Sequence, residues 1–246
     1  MFDLDTWLSS QEDYEKAVLL GKKSAKLSLN NTAVHKLKWG LDQKDDYFLR
    51  KEAVWLKRIH PHSFFIHSLI YEGQFLLLLE YIHGESLSKV LQGSKQRSLF
   101  TANKRAQFLQ SLFESVKELH ERGIVHGDLK AANVILVNET EARLIDFAAA
   151  SWIGSDNTIK PYIMRTPSYA LPESIEQAKV LAIIDWYAFF IIFDLLHFMT
   201  PVTLKTHSLS DYIAFHDKQL AESLVELEIK QQLKQKLDEV QYYFRT

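Results

Sequence analysis

Between residues 26 and 38 the chain reads KLSLNNTAVHKLK, with apolar and polar positions alternating on either side of Asn30-Asn31. Alternation of period two predicts strands, and the Asn-Asn pair tolerates left-handed backbone, so two short strands around a tight turn are expected. Over 42–59, DQKDDYFLRKEAVWLKRI, residues Phe48, Leu49, Val54, Leu56 and Ile59 fall near helical spacing and predict an amphipathic helix. His60 ends it, because a residue preceding proline is pushed out of the helical region. The stretches FFIHSLIYEG and QFLLLLEYI flank Glu72-Gly73 and predict a β-hairpin; the unbroken run 76–79 suits a strand buried on both faces.

From His83 onward the pattern turns helical. A short helix is expected over ESLSKVLQ after Gly84, and a long one over TANKRAQFLQSLFESVKELHERG, with Thr101 placed to cap its start and Gly123 to stop it. Residues 134–137 and 142–145 are expected to pair as a hairpin. The run VLAIIDWYAFFIIFDLLHFM at 180–199 is apolar enough to suggest a membrane span, yet Asp185, Asp194 and His197 would each be costly in hydrocarbon. A buried central helix is expected instead. KQLAESLVELEIKQQLKQKLDEVQYYF, 218–244, reads as one amphipathic helix packed on its lobe. Strands with one helix, then mostly helices, predict an α+β fold: a small β-rich lobe joined near residues 80–84 to a larger α-helical one.

Composition narrows the classes. Of 246 residues 47% are hydrophobic and 12% aromatic, ample for a core. A formal charge of −2, from 29 basic and 31 acidic residues, argues against a general binder of nucleic acid or anionic membrane. Cysteine is absent, which excludes disulfides, thiolate catalysis and cysteine metal sites and fits a reducing, cytoplasmic setting. The acidic start MFDLDTWLSSQEDYEK lacks the pattern of a secretory signal. With 8 Gly and 5 Pro, loops are expected to be short.

Candidate chemistry concentrates in VHGDLKAANVIL at 125–136 and LIDF at 144–147. Asp and Asn at strand ends serve as turn caps. They also make a site for a metal ion and a phosphate. If the hairpin forms, both loops leave it at the same end, and Asn133 and Asp146 can share one ion. Hard oxygen ligands without His or Cys suit Mg²⁺. Asp128 is then available to accept a proton from a hydroxyl, and Lys130 to neutralise a moving phosphoryl group.

These segments resemble the eukaryotic-type protein kinases. HGDLKAAN resembles the H-R-D-L-K-x-x-N catalytic loop, DFA at 146–148 resembles D-F-G, TPSYALPE at 166–173 is similar to T-P-x-Y-x-A-P-E, and DWYAF at 185–189 is similar to D-x-W-S-x-G. The resemblance implies one kinase-like domain over 1–246, with a small lobe about 1–82 and a larger one about 83–246. It implies ATP and Mg²⁺ as cofactors and a serine/threonine protein substrate, with Lys130 and Thr166 carrying that preference. Thr166 would belong to a shelf for the peptide. AVHK resembles the V-A-I-K strand, making Lys36 the phosphate-holding lysine and Glu52 its helix partner. Lys38 is the alternate, set second because Lys36 would then fill the apolar adenine-facing place. Glu80 and Ile82 fall where the hinge bonds adenine, Leu79 is in the gatekeeper place, and Glu85 is placed to reach the ribose or cap a helix.

Departures are informative. LGKKSAKL keeps only Gly21 of the glycine-rich loop, which weakens the phosphate cradle, although Lys22, Lys23 and Lys26 bring charge. Gly127 replaces the catalytic-loop arginine, so regulation through an activation-segment phosphate is not expected. Ala148 replaces the D-F-G glycine, and the usual partner of Glu173 is reduced to the distant Arg245. Three functions follow from the resemblance: an active serine/threonine kinase, favoured by the set Lys36, Asp128, Asn133 and Asp146; a partner-binding pseudokinase; and a small-molecule kinase.

Overall fold

The computed structural model describes residues 2–29, 32–60, 64–93, 98, 100–172 and 178–245. The Asn30-Asn31 turn, Pro61 and Glu173 lie outside the described residues. The chain divides into two compact units, Met1–His83 with Phe147–Ala149, and Gly84–Asp146 with Ala150–Thr246.

The first unit is a five-stranded antiparallel sheet with a helix on each face. Its elements are α1 (Leu4–Ser9), β1 (Lys16–Gly21), β2 (Ser24–Leu29), β3 (Thr32–Trp39), α2 (Gln43–Ile59), β4 (Phe65–Tyr71) and β5 (Gln74–Glu80), with strand order β1-β2-β3-β5-β4. Alternation sorts the strands' side chains. Ala25, Leu27, Leu37, Trp39 and Leu76 bury against Trp7 of α1, with Phe2, Leu4 and Leu8 beside them. Phe75 and Leu77 point the other way, onto Leu49 and Ala53 of α2. Asp42 caps α2 by accepting from the Asp45 N–H at 2.8 Å, and the helix ends at His60 as expected. Val54, expected on the buried stripe, is 47% exposed; the helix turns Glu52, Ala53, Trp55 and Leu56 inward instead. The β4–β5 turn has Glu72 at φ 48° and Gly73 at φ 79°, the two left-handed residues that a tight hairpin requires. Within 76–79 the expected two-faced burial holds for Leu76 and Leu77, while Leu78 and Leu79 are only partly covered.

The second unit is mainly helical: β6 (Glu85–Ser86), α3 (Leu87–Gln92), α4 (Ala102–Glu121), β7 (Ile124–Val125), β8 (Val134–Val137), β9 (Glu141–Leu144), β10 (Ser151–Trp152), α5 (Ile183–Leu196), α6 (Leu209–Glu222) and α7 (Leu227–Arg245). The helix expected from Glu85 starts two residues later, because Glu85 and Ser86 pair with Leu136 and Ile135 of β8. The α4 boundaries follow the sequence: Thr101 accepts from the Lys104 N–H, and Gly123 takes φ 74° just beyond the end. The single helix expected over 218–244 is two. Ser223 is extended, at φ −67° and ψ 160°, and satisfies its own hydroxyl on the Leu220 carbonyl at 2.8 Å. That break carries neither Gly nor Pro. Helix α5 is apolar on every side and correspondingly buried on every side, with Asp185 and Asp194 both fully covered. No described helix is long and apolar enough to cross a membrane.

Candidate active site

The loop between β7 and β8 gathers the expected groups of the second unit. Lys130 Nζ donates to Asp128 Oδ2 at 2.6 Å and to Thr166 Oγ1 at 2.8 Å; Thr166 Oγ1 donates to Asp128 Oδ1 at 2.7 Å. Both carboxylate oxygens are thus engaged, with Asp128 only 5% exposed. Asn133 Nδ2 donates to the Asp128 carbonyl at 2.9 Å and to Asp128 Oδ2 at 3.3 Å. Because the amide nitrogen is committed inward, the Asn133 side-chain oxygen is the atom left to face a cation. An amide oxygen is the hard type of ligand that a divalent ion such as Mg²⁺ takes. The β8–β9 register sets Val134 opposite Leu144, and the Ile145 N–H donates to the Asn133 carbonyl at 3.0 Å, so the backbones at 133 and 145 are adjacent.

His126 ties the loop to the same strand end. Its Nδ1 accepts from the Asp128 N–H at 3.3 Å and its Nε2 bonds the Ile145 carbonyl at 3.0 Å, which fixes the Nε2–H tautomer. Beneath lies Asp185, the first acidic residue of α5. Its oxygens accept from the His126 N–H at 2.7 Å, the Gly127 N–H at 3.0 Å and His120 Nε2 at 3.0 Å. Burial pushes its carboxyl up, but the His120 bond, the electrostatic pull of the nearby His120 and His126 rings and the Gly127 N–H outweigh it and hold the group below its ordinary range. The sequence placed Asp185 in a motif without a role; the role is to hold two backbone donors just ahead of Asp128. Tyr169, from the TPSYALPE segment, accepts from the Ala131 N–H at 3.4 Å, and burial raises its phenol despite that bond.

Asp146 has φ 66°. The left-handed residue of this turn is therefore the aspartate itself, a residue type that tolerates it, and not the position that alanine fills at 148. Phe147 and Ala148 are buried in a short 3₁₀ turn of the first unit, where Phe147 meets His60 edge-on at 6.0 Å and Lys51 Nζ donates to the Ala149 carbonyl at 3.1 Å.

In the first unit the residue paired with Glu52 is Lys38, where the sequence reading favoured Lys36. The Glu52 carboxyl is 2% exposed and the Lys38 side chain 16%. Both lysines point to the same face of β3, so alternation cannot separate them; the level at which α2 crosses the sheet does. Lys38 sits opposite Leu77, which packs on Leu49 and Ala53, while Lys36 lies one pleat further along, opposite Leu79. Gly21 ends β1, and Ser24 already starts β2, so a two-residue turn stands where a glycine-rich loop was sought. A Cβ at Gly21 would meet nothing within 4 Å, so no close approach demands glycine there. Glu80 closes β5 with its N–H on the Phe64 carbonyl at 2.9 Å; Tyr81 donates to the Val34 carbonyl at 3.0 Å, and Ile82 follows the last of these bonds.

The protein kinase domain family matches residues 24–242. The chain belongs to the protein kinase family. Among similar proteins, serine/threonine-protein kinase shk1/pak1 of Schizosaccharomyces pombe is 25% identical over 61% of this chain and 22% of its own length. Serine/threonine-protein kinase-like protein At5g23170 of Arabidopsis thaliana is 36% identical over 47% of this chain and 35% of its own. Serine/threonine-protein kinase PkaA of Streptomyces coelicolor is 30% identical over 57% of this chain and 26% of its own. The chain thus spans about a third or less of the length of these relatives. The two kinase units carry the family's β-sheet and helical architectures respectively.

Proposed function

We propose that this kinase transfers the γ-phosphoryl group of ATP to a serine or threonine hydroxyl of a protein. The observation that carries this reading is the triangle of Asp128, Lys130 and Thr166, with Asn133 locked onto the Asp128 backbone. The substrate oxygen attacks the γ-phosphorus, the bond from that phosphorus to the β–γ bridging oxygen breaks, and ADP leaves. Asp128 accepts the hydroxyl proton, and the Lys130 ammonium lies beside the charge that develops on the transferred group. Thr166 holds Asp128 Oδ1 until a substrate hydroxyl takes that position. Asn133 and Asp146 would hold Mg²⁺, which when bound supplies positive charge to the phosphate oxygens. Lys38, kept in place by Glu52, would bind the phosphates nearer the nucleoside.

The test is transfer of label from γ-labelled ATP, with magnesium, to protein serine or threonine. Wild type is expected to transfer label; Asp128→Ala and Lys38→Met are expected to lose about 100-fold or more, the scale of a removed acid–base or charge-stabilising group. Undiminished transfer by Asp128→Ala would refute the assignment. A second reading, a partner-binding member without chemistry, draws on the two-residue turn at Lys22 and Lys23. Nucleotide binding with no label transfer would favour it.

A further inference from the structure

Strand register places three lysines on the α2-facing side of the sheet. Lys26 of β2 is directly opposite Lys36 of β3, and Lys38 is the next residue of β3 on that side. The row through the first pair runs Val18, Lys26, Lys36, Leu79; the row beside it runs Ser24, Lys38, Leu77. All three lysines are half-buried. Like charges directly opposite one another across an antiparallel pair destabilise a sheet, and partial burial enlarges that cost. Lys26 Nζ lies 5.9 Å from the centre of the Tyr81 ring, so its stem runs toward the segment that follows β5.

Once Lys38 rather than Lys36 pairs with Glu52, Lys36 falls two residues earlier, in the place where an apolar wall against the nucleobase was expected. Lys26 is its cross-strand neighbour. The base would thus meet two lysine stems, and two added ammonium groups would stand within reach of a polyanion. We infer that Lys26 and Lys36 act with Lys38 as a cationic face that holds the nucleotide chiefly through its triphosphate, with little discrimination between purine bases. The ammonium charge takes over from the backbone amides that the missing glycines would have offered. The inference rests on the nucleotide-binding reading above and specifies its selectivity.

Calorimetric titration of the full chain with magnesium and ATP, GTP or inorganic tripolyphosphate tests it. The three ligands are expected to bind within about fivefold of one another, and each to weaken by about tenfold between low and high salt. A Lys26→Val/Lys36→Ala variant is expected to lose about tenfold in tripolyphosphate affinity and to separate ATP from GTP by a similar factor. A cooperative unliganded melt of that variant establishes that it is folded before its binding is read. Wild type that prefers ATP to GTP by about 100-fold and ignores tripolyphosphate would overturn the inference, while label transfer by that same protein would leave the kinase reading intact. An unchanged binding pattern in the variant would overturn it equally. Wild type that binds none of the three ligands would overturn both.

Discussion

Replacing Asp185 by Asn isolates what a buried charge does under the catalytic loop. The carboxylate accepts three hydrogen bonds, from the N–H groups of His126 and Gly127 and from His120 Nε2. An amide of the same shape keeps one oxygen, which can serve His126 and His120, and turns its NH₂ toward the Gly127 N–H. One charge-assisted bond is lost and a buried donor is stranded; at about 1.5–3 and about 1–3 kcal/mol, the change is about 2.5–6 kcal/mol. That is a large share of a typical total of about 5–15 kcal/mol, and urea unfolding at pH 7 measures it as a lowered midpoint with an unchanged slope. Hydrogen exchange at Gly127 should rise in parallel, because its N–H loses its acceptor. The sign with pH is fixed by the lowered carboxyl. Its stabilisation is fully present above the ordinary value of 3.8 and is lost as pH falls through the lower folded value, so wild type and variant should converge in strong acid. A loss below about 1 kcal/mol at pH 7, or a gap that does not narrow as pH falls below 3.8, would refute the argument.

Two further substitutions test the packing around the site. Gly84 has φ 157° and its added Cβ would run into the Leu136 carbonyl, so Gly84→Ala should cost about 1–3 kcal/mol, read by thermal melting; an unshifted melt would show that the β6–β8 junction yields freely. Lys160 Nζ donates to the buried Ser151 hydroxyl at 2.9 Å and to Asn157, and burial with nearby Arg165 holds its ammonium below the usual lysine range. Lys160→Met should free residues 155–162, seen as faster limited proteolysis there at a stability loss of about 1 kcal/mol, whereas wild-type cleavage rates would mean that the lysine fastens nothing.

The elements legible in the sequence were those whose period runs long enough to be seen. The hairpin about Glu72-Gly73, helix α2 and helix α4 announce themselves through alternation, apolar stripes and caps. Helix α1 does not, because six residues complete too few turns to show a stripe. The division of the last segment into α6 and α7 falls at Ser223, which is buried and bonds its own hydroxyl to the Leu220 carbonyl, so no glycine or proline marks it in the sequence. Asp128, Lys130 and Thr166 meet because one loop and one distant segment converge, which only the family resemblance could suggest. Lys36 and Lys38 have the same parity on one strand, so a periodic pattern is blind to the choice. The contact of Leu77 with α2 decides it, and that is tertiary information.

The family match opens at residue 24, whereas Trp7, Leu8 and the strand at 16–21 come before it. A clone trimmed to the match would strip the aromatic lid from Leu37, Trp39 and Leu76 and leave β2 as a raw border inviting another chain to pair with it. Such a fragment would be expected to precipitate, and its silence in an assay would report a missing roof and not a dead enzyme.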